Sequence, residues 1–200
     1  MPRVICLYGA VGCGKTTLLN ELKRYLPNCY VVPEYIDALD DAKTKLQQYL
    51  EGNYSAFKFQ NYILDYFERV AKSLEHSSYD YVLVERCPVE GILFFAKLDL
   101  INRRLTQAQY DYLLNRSQSL TVFPNPLTDD FATIHTDDKT AYQLAQQTLA
   151  LIPNVSLIKL RASLDIIKSR IQQRGRACEL EHYSDEYKSN SPVFNHYSGM

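Results

Sequence analysis

Two hundred residues, 46% hydrophobic and 22% charged, suffice for one domain with a sizeable buried core and carry no signature of disorder. A formal net charge of −1 offers no global field to nucleic acid or to an anionic membrane, so any polyanion must be held by a local site. Five cysteines, odd in number and without a C-x-x-C pair, argue against a disulfide framework or a zinc site and predict reduced thiols in a cytoplasmic setting.

The first predicted element is an apolar run at residues 4–8. It has strand length and ends in glycine, too short for a membrane span and unlike a targeting segment. Gly9, Ala10, Val11, Gly12, Cys13, Gly14, Lys15 and Thr16 follow it and complete the pattern G-x-x-x-x-G-K-[ST]. The pattern stands where its chemistry requires, after a strand and opening a helix whose face is Leu18, Leu19, Leu22 and Leu26. Glycines let successive backbone N–H groups turn inward around phosphate, and the helix N-terminus adds its positive dipole end. Lys15 is expected to reach the β- and γ-phosphates of a nucleoside triphosphate, and the Thr16 hydroxyl to ligate Mg²⁺.

A second apolar run, 29–33, ends in Glu34, and a third, 81–84, ends in Glu85-Arg86-Cys87-Pro88. Parallel sheets present ligand-binding groups at the carboxyl ends of their strands, so these charges should flank the phosphate loop. Glu34 is the candidate base for a hydroxyl acceptor, Glu85 a candidate Mg²⁺ ligand, and Arg86 a partner for phosphate or acceptor oxygen. Helical periodicity fills 57–70 and 92–96, residues 123–138 read as a loop, and a strand at 155–160 leads to Arg170, Arg174 and Arg176. The arginines suit a lid, about residues 170–181, that neutralises charge on a transferring phosphoryl group. The tail, 182–200, is polar and offers no last strand. The fold class expected is α/β, a P-loop NTPase-type parallel sheet with helices on both faces, in a single domain over 1–200.

No Asn-Lys-x-Asp motif of a regulatory GTPase occurs, which leaves small-molecule kinases as the natural class at this length. Between Asn28 and Val84 the only arginine is Arg69, whereas Tyr49, Tyr54, Phe57, Phe59, Gln60 and Asn61 supply flat and hydrogen-bonding groups. An acceptor already carrying phosphate calls for fork-shaped arginines, so the region suits an uncharged nucleoside better. A thymidylate-type monophosphate kinase and a catalytically silent ATP-binding module are the rival readings.

Taken together, these motifs resemble the deoxynucleoside kinase family, which includes the herpesvirus-type thymidine kinases, from about residue 3 to residue 181 and more weakly over 102–150. The resemblance implies an ATP-dependent deoxynucleoside 5′-kinase using Mg²⁺, with Glu34 as general base. It implies that Gln60 pairs with the base edge, that Phe59 and Phe95 sandwich the base, and that Glu179 and Tyr49 hold the sugar 3′-hydroxyl. Arg170, Arg174 and Arg176 match the lid arginines, and the family's dimers suggest a homodimer. Phe67 and Gly91 stand where members favouring deoxycytidine and purines carry an Arg/Asp pair, so the resemblance leans toward thymidine. Two departures are Cys178 in place of the second lid acid and the absence of the family's final strand and helix after the lid.

Overall fold

The structure is a computed structural model, and it describes residues 1–174, without the side chain of Arg174. Its framework is a five-stranded parallel sheet in the order β2-β3-β1-β5-β4. Strand β1 (Arg3–Gly9) lies at the centre, and its residues from Ile5 to Leu7 are inaccessible to solvent. Burial on both faces is what a near-continuous apolar strand of a parallel sheet requires. β2 (Cys29–Val32) and β3 (Tyr81–Glu85) extend the sheet on one side, β5 (Leu157–Arg161) and β4 (Phe131–His135) on the other.

Alternation along the strands divides the core. Ile5, Leu7, Leu83, Ile158 and Leu160 face one way and meet Leu18, Leu19 and Leu22 of α1 (Lys15–Leu22), with Leu144 and Ala145 of α8 (Ala141–Leu151). Cys6, Tyr8, Val82, Val84 and Leu157 face the other way, toward Tyr66, Phe67 and Leu74 of α4 (Ala56–Glu75). A third apolar cluster fills the space beyond the sheet, where α4 meets α3 (Ala42–Leu50) and α7 (Gln107–Gln118). Between β2 and α3 stands one turn, α2 (Tyr35–Ala38). Strand β3 runs into a continuous helical segment made of α5 (Pro88–Gly91), a π-helical turn at Ile92–Ala96 and α6 (Lys97–Ile101). Helix α9 (Leu164–Arg174) follows β5.

The predicted class therefore holds, with one correction. The stretch 123–138, read as loop, contains β4, and the sheet has its fifth strand although no strand follows the lid arginines among the described residues. β4 lies at the edge and buries only Ile134, so Phe131 and His135 at its ends are exposed and no apolar alternation marks it. Parallel pairing to β5, with Ile134 opposite Leu160, fixes it through α8 as a β-α-β unit. No helix among the described residues is long and apolar enough to cross a membrane.

Candidate active site

The phosphate loop is shaped by contacts that only glycine permits. Gly9 has φ +139°, and a Cβ built on it would lie 2.3 Å from the Leu160 carbonyl oxygen of β5. Gly14 caps α1 in the left-handed region at φ +98°, which turns the chain into the helix. The loop encloses Lys15, only 4% exposed, whose Nζ donates to the carbonyls of Gly9 (3.2 Å) and Ala10 (3.0 Å).

Strand register brings the predicted acids to this lysine. Leu7 of β1 pairs with Glu85 of β3, and the Arg86 amide continues the ladder to the Leu7 carbonyl at 2.9 Å. Glu85 therefore stands beside the first turn of α1, with Oε1 3.4 Å from Lys15 Nζ and Oε2 accepting from Thr16 Oγ1 at 2.8 Å. Val32 pairs with Val84, so Glu34 stands two residues past the end of β2 at the level of Arg86. There its carboxyl interacts electrostatically with that of Glu85.

Two adjacent carboxyl groups cannot both ionise cheaply, and their surroundings separate them. Burial, followed by the Glu85 charge, pushes the Glu34 carboxyl up to about 7, Arg86 and Lys15 pulling weakly the other way. Burial also opposes ionisation of Glu85, but Lys15, the Glu34 carboxyl, Arg86 and Thr16 together outweigh it and hold that carboxyl down at about 2. The result is one permanent carboxylate beside the lysine and one carboxyl poised to exchange a proton near neutrality.

Arg86 takes φ +62°, a left-handed conformation rare for a side-chain-bearing residue and frequent at functional sites. Its guanidinium lies 5.1 Å from the Phe95 ring and donates from Nη1 to Glu90 Oε1 at 3.0 Å. Glu90, 1% exposed, is a residue the sequence reading passed over. Its i,i+4 relation to Arg86 across a Pro-initiated helix start was the available signal. Phe95 belongs to the π-helical turn, a distortion common near functional sites.

A second group forms around α4. Phe59, 3% exposed, stacks on Tyr49 with centroids 4.4 Å apart and meets Tyr35, the neighbour of Glu34, edge-on at 6.2 Å. Gln60, 2% exposed, and Tyr49 both donate to Asp99, and Arg104 lies 3.4 Å from the same carboxylate. Sequence reasoning missed Asp99 and Arg104 because they sit in the weakly patterned stretch after residue 97. Phe59 and Phe95 thus fall in different sets of contacts, one against Tyr49 and one against Arg86. Arg69 is exposed and donates to the Asp65 carbonyl at 3.3 Å.

Arg170 reaches back from α9 to the Gly12 carbonyl and the Thr136 hydroxyl, 3.3 Å each, and ties the phosphate loop to the residue after β4. The Arg174 side chain, Arg176 and Glu179 lie outside the described residues. Among the described residues no three His, Cys, Asp or Glu gather as a metal cage. The Thr16 hydroxyl and the Glu85 carboxylate are hard oxygen donors in contact, a set suited to Mg²⁺ completed by phosphate and water.

The family model for deoxynucleoside kinases matches residues 5–128, more than half of the chain. The chain belongs to the deoxynucleoside kinase family. Among curated proteins it is similar to the putative kinase protein 143R of Invertebrate iridescent virus 6, 26% identical over 142 residues that cover 70% of this chain and 67% of the viral one. Among solved structures it is similar to a deoxyadenosine kinase from M. mycoides with products dCMP and a flexible dCDP bound. The TM-score is 0.55 at 20% identity, covering 98% of this chain and 84% of that one. The same enzyme with bound dATP gives a TM-score of 0.54 at 20% identity, covering 93% and 84%. Similarity at that level establishes a shared fold. Within this kinase fold Phe67 is a core residue, 5.3 Å edge-to-face from Phe123, and a Cβ at Gly91 would meet nothing within 4 Å.

Proposed function

We propose that this kinase transfers the γ-phosphoryl group of Mg·ATP to the 5′-hydroxyl of a deoxynucleoside. The observation that carries the reading is the Glu34–Glu85 carboxyl pair held between Lys15, Thr16 and Arg86 at the carboxyl end of the sheet. Lys15 and the loop amides take the triphosphate, and Thr16 and Glu85 would hold Mg²⁺, which would supply positive charge against that developing on the transferring group. Glu34, in its ionised form, accepts the proton of the attacking hydroxyl. Arg86, fixed by Glu90, steadies the acceptor oxygen or transferred group, and Arg170, held against the phosphate loop, places positive charge beside the donor. Positioning and electrostatics supply the acceleration, with no covalent intermediate.

An uncharged acceptor is supported by the fate of the arginines. Arg104 is matched by Asp99, and Arg116 by Asp65 and Glu68, so neither is left to grip an acceptor phosphate. This weighs against a monophosphate kinase. Thymidine is slightly favoured as acceptor, because Phe67 and the open space at Gly91 replace a charged base-reading pair and leave room for a 5-methyl group. A purine deoxynucleoside is the competing choice.

The test is coupled ADP release with Mg·ATP against thymidine, deoxycytidine, deoxyadenosine, deoxyguanosine and dTMP, repeated with excess chelator. Turnover on a nucleoside that stops on chelation is expected. Turnover on dTMP alone would make the protein a monophosphate kinase, and silence on all five, with ATP still bound, a binding module. A kcat/KM for deoxyadenosine or deoxyguanosine well above that for thymidine would defeat the pyrimidine preference.

A further inference from the structure

Thr136 belongs to no motif, and it is wholly buried at the point where the chain leaves β4. Its amide donates to the Arg161 carbonyl at 2.7 Å, one step beyond the pairing of His135 with Arg161, so the end of β5 fixes its backbone. Both its oxygens face Arg170 of α9. The hydroxyl accepts from Nη1 at 3.3 Å and the carbonyl from Nη2 at 3.4 Å. The neighbouring Asp137 holds the start of the same helix, its carboxylate accepting from the Ser163 amide at 2.9 and 3.1 Å. Two consecutive residues thus set where α9 begins and where its arginine points.

Helix α9 also rests on the phosphate loop. Ile167 and Ile171 are buried, and a Cβ built on Gly12 would lie 3.1 Å from the Ile167 carbonyl oxygen and 3.3 Å from Ile171 Cγ1. Arg170 Nη1 donates to the Gly12 carbonyl at 3.3 Å, and a Cβ on Gly14, the cap of α1, would meet it at 3.6 Å. The guanidinium therefore stands over the entrance to α1, where backbone N–H groups converge on a bound phosphate. A guanidinium presents its donors in a rigid planar fork, so bonds made on one part of it fix the direction of the rest. Among the described residues these contacts leave part of that fork for an anion. The sequence places Arg170 at the start of a closing lid, whereas its contacts tie it to the end of β4 and to the phosphate loop.

We propose that Thr136 is a positioning residue of the donor site, holding the Arg170 guanidinium over the phosphate loop before the nucleotide arrives. Arg170 is then a preset part of the phosphate site, and its reach is fixed by the edge strand. The inference rests on the kinase reading and adds to it a residue outside every motif. Donors aimed in advance at developing charge need no reorganisation during transfer, and a displacement of about 1 Å can cost on the order of 10²-fold in rate.

The experiment is a double-mutant cycle on Thr136→Val and Arg170→Ala, read in the Kd for Mg·ATP by calorimetry and in kcat with the preferred nucleoside. Thr136→Val replaces the hydroxyl by a methyl group and leaves the carbonyl contact in place. It should lower kcat by about tenfold and weaken ATP by roughly threefold, while Arg170→Ala lowers kcat further. The double variant should be no worse than Arg170→Ala in either quantity, because a residue acting only through Arg170 has nothing left to position. Thr136→Ser, which keeps the hydroxyl, should stay within about twofold of wild type. A Thr136→Val variant equal to wild type, or losses that multiply in the double variant as independent packing defects do, would overturn the proposal. If Thr136→Val does not fold, Arg170→Lys decides, since it keeps the charge and loses the fork. Activity near wild type in that variant would mean that a fixed guanidinium plays no part, and activity near that of Arg170→Ala supports the proposal. A wild type that binds Mg·ATP but is silent on every nucleoside would end the kinase reading alone, and coupling in the ATP Kd would then decide this proposal. Failure of wild type to bind Mg·ATP would overturn both.

Discussion

The most consequential single residue is Glu34, whose proton is held by burial and by the neighbouring carboxylate. kcat/KM reports the free enzyme, so its acid limb should fall near pH 7, where Glu34 gives up its proton. Glu34→Gln should lower kcat by about 10²–10⁴-fold, the usual worth of a general base, with ATP affinity retained. The same residue should cost stability. A carboxyl whose folded pKa is raised favours the native state fully only below its unfolded value, and loses that contribution as pH rises through about 7. Glu34→Gln should therefore melt higher than wild type at pH 8 and close to it at pH 5, by calorimetry at both. Equal melting temperatures at pH 8 would show that Glu34 is not held in that environment. Glu90 acts one contact further out. Glu90→Gln keeps the shape but loses the charge that anchors the Arg86 guanidinium at 3.0 Å. A fall in kcat of about tenfold or more is expected, from the loss of a hydrogen bond between buried charged groups worth ~1.5–3 kcal/mol. An unchanged kcat would mean that Arg86 is positioned by its left-handed backbone alone.

At the scale of elements, the phosphate loop is where sequence and structure agree most closely, because a strand end, three positive-φ glycines and a helix start leave little freedom. Gly9 tests this. Gly9→Ala would set a methyl group against the Leu160 carbonyl, so roughly 1–3 kcal/mol of backbone strain plus that clash should weaken ATP binding and lower the melting temperature. Normal affinity in that variant would contradict the close approach of β1 to β5. β4 is the opposite case. An edge strand that buries Ile134 alone gives no periodic signal, and the aspartates at 129, 130, 137 and 138 around it read as turn chemistry. The following helix did carry a sign, the Thr140/Gln143 capping box, whose hydroxyl accepts from the Gln143 amide at 3.2 Å. Residues at strand ends, Glu34, Glu85 and Arg86, were legible because parallel sheets always display that edge. Asp99 and Arg104 were not, because their roles come from which helices meet, and no local spacing encodes that, whereas Glu90 left only its i,i+4 spacing to Arg86.

For the whole molecule, ligand binding and folding are one equilibrium. A hundredfold excess of Mg·ATP over its Kd should stabilise the fold by about 2.7 kcal/mol, and ATP with chelator by less, a difference that thermal melts resolve. No gain at all would mean that the loop does not hold the nucleotide. The site also has a position in time. Its loop is made by residues near the beginning of the chain, yet Gly9 is seated on Leu160, and β1 gains that neighbour only when β5 inserts between β1 and β4. Contacts separated by so much chain form late, because long loops must close first. Nucleotide affinity should thus emerge in refolding with the slowest phase, after helical signal has recovered, and a chain still being synthesised would stay blind to ATP until its fifth strand had docked.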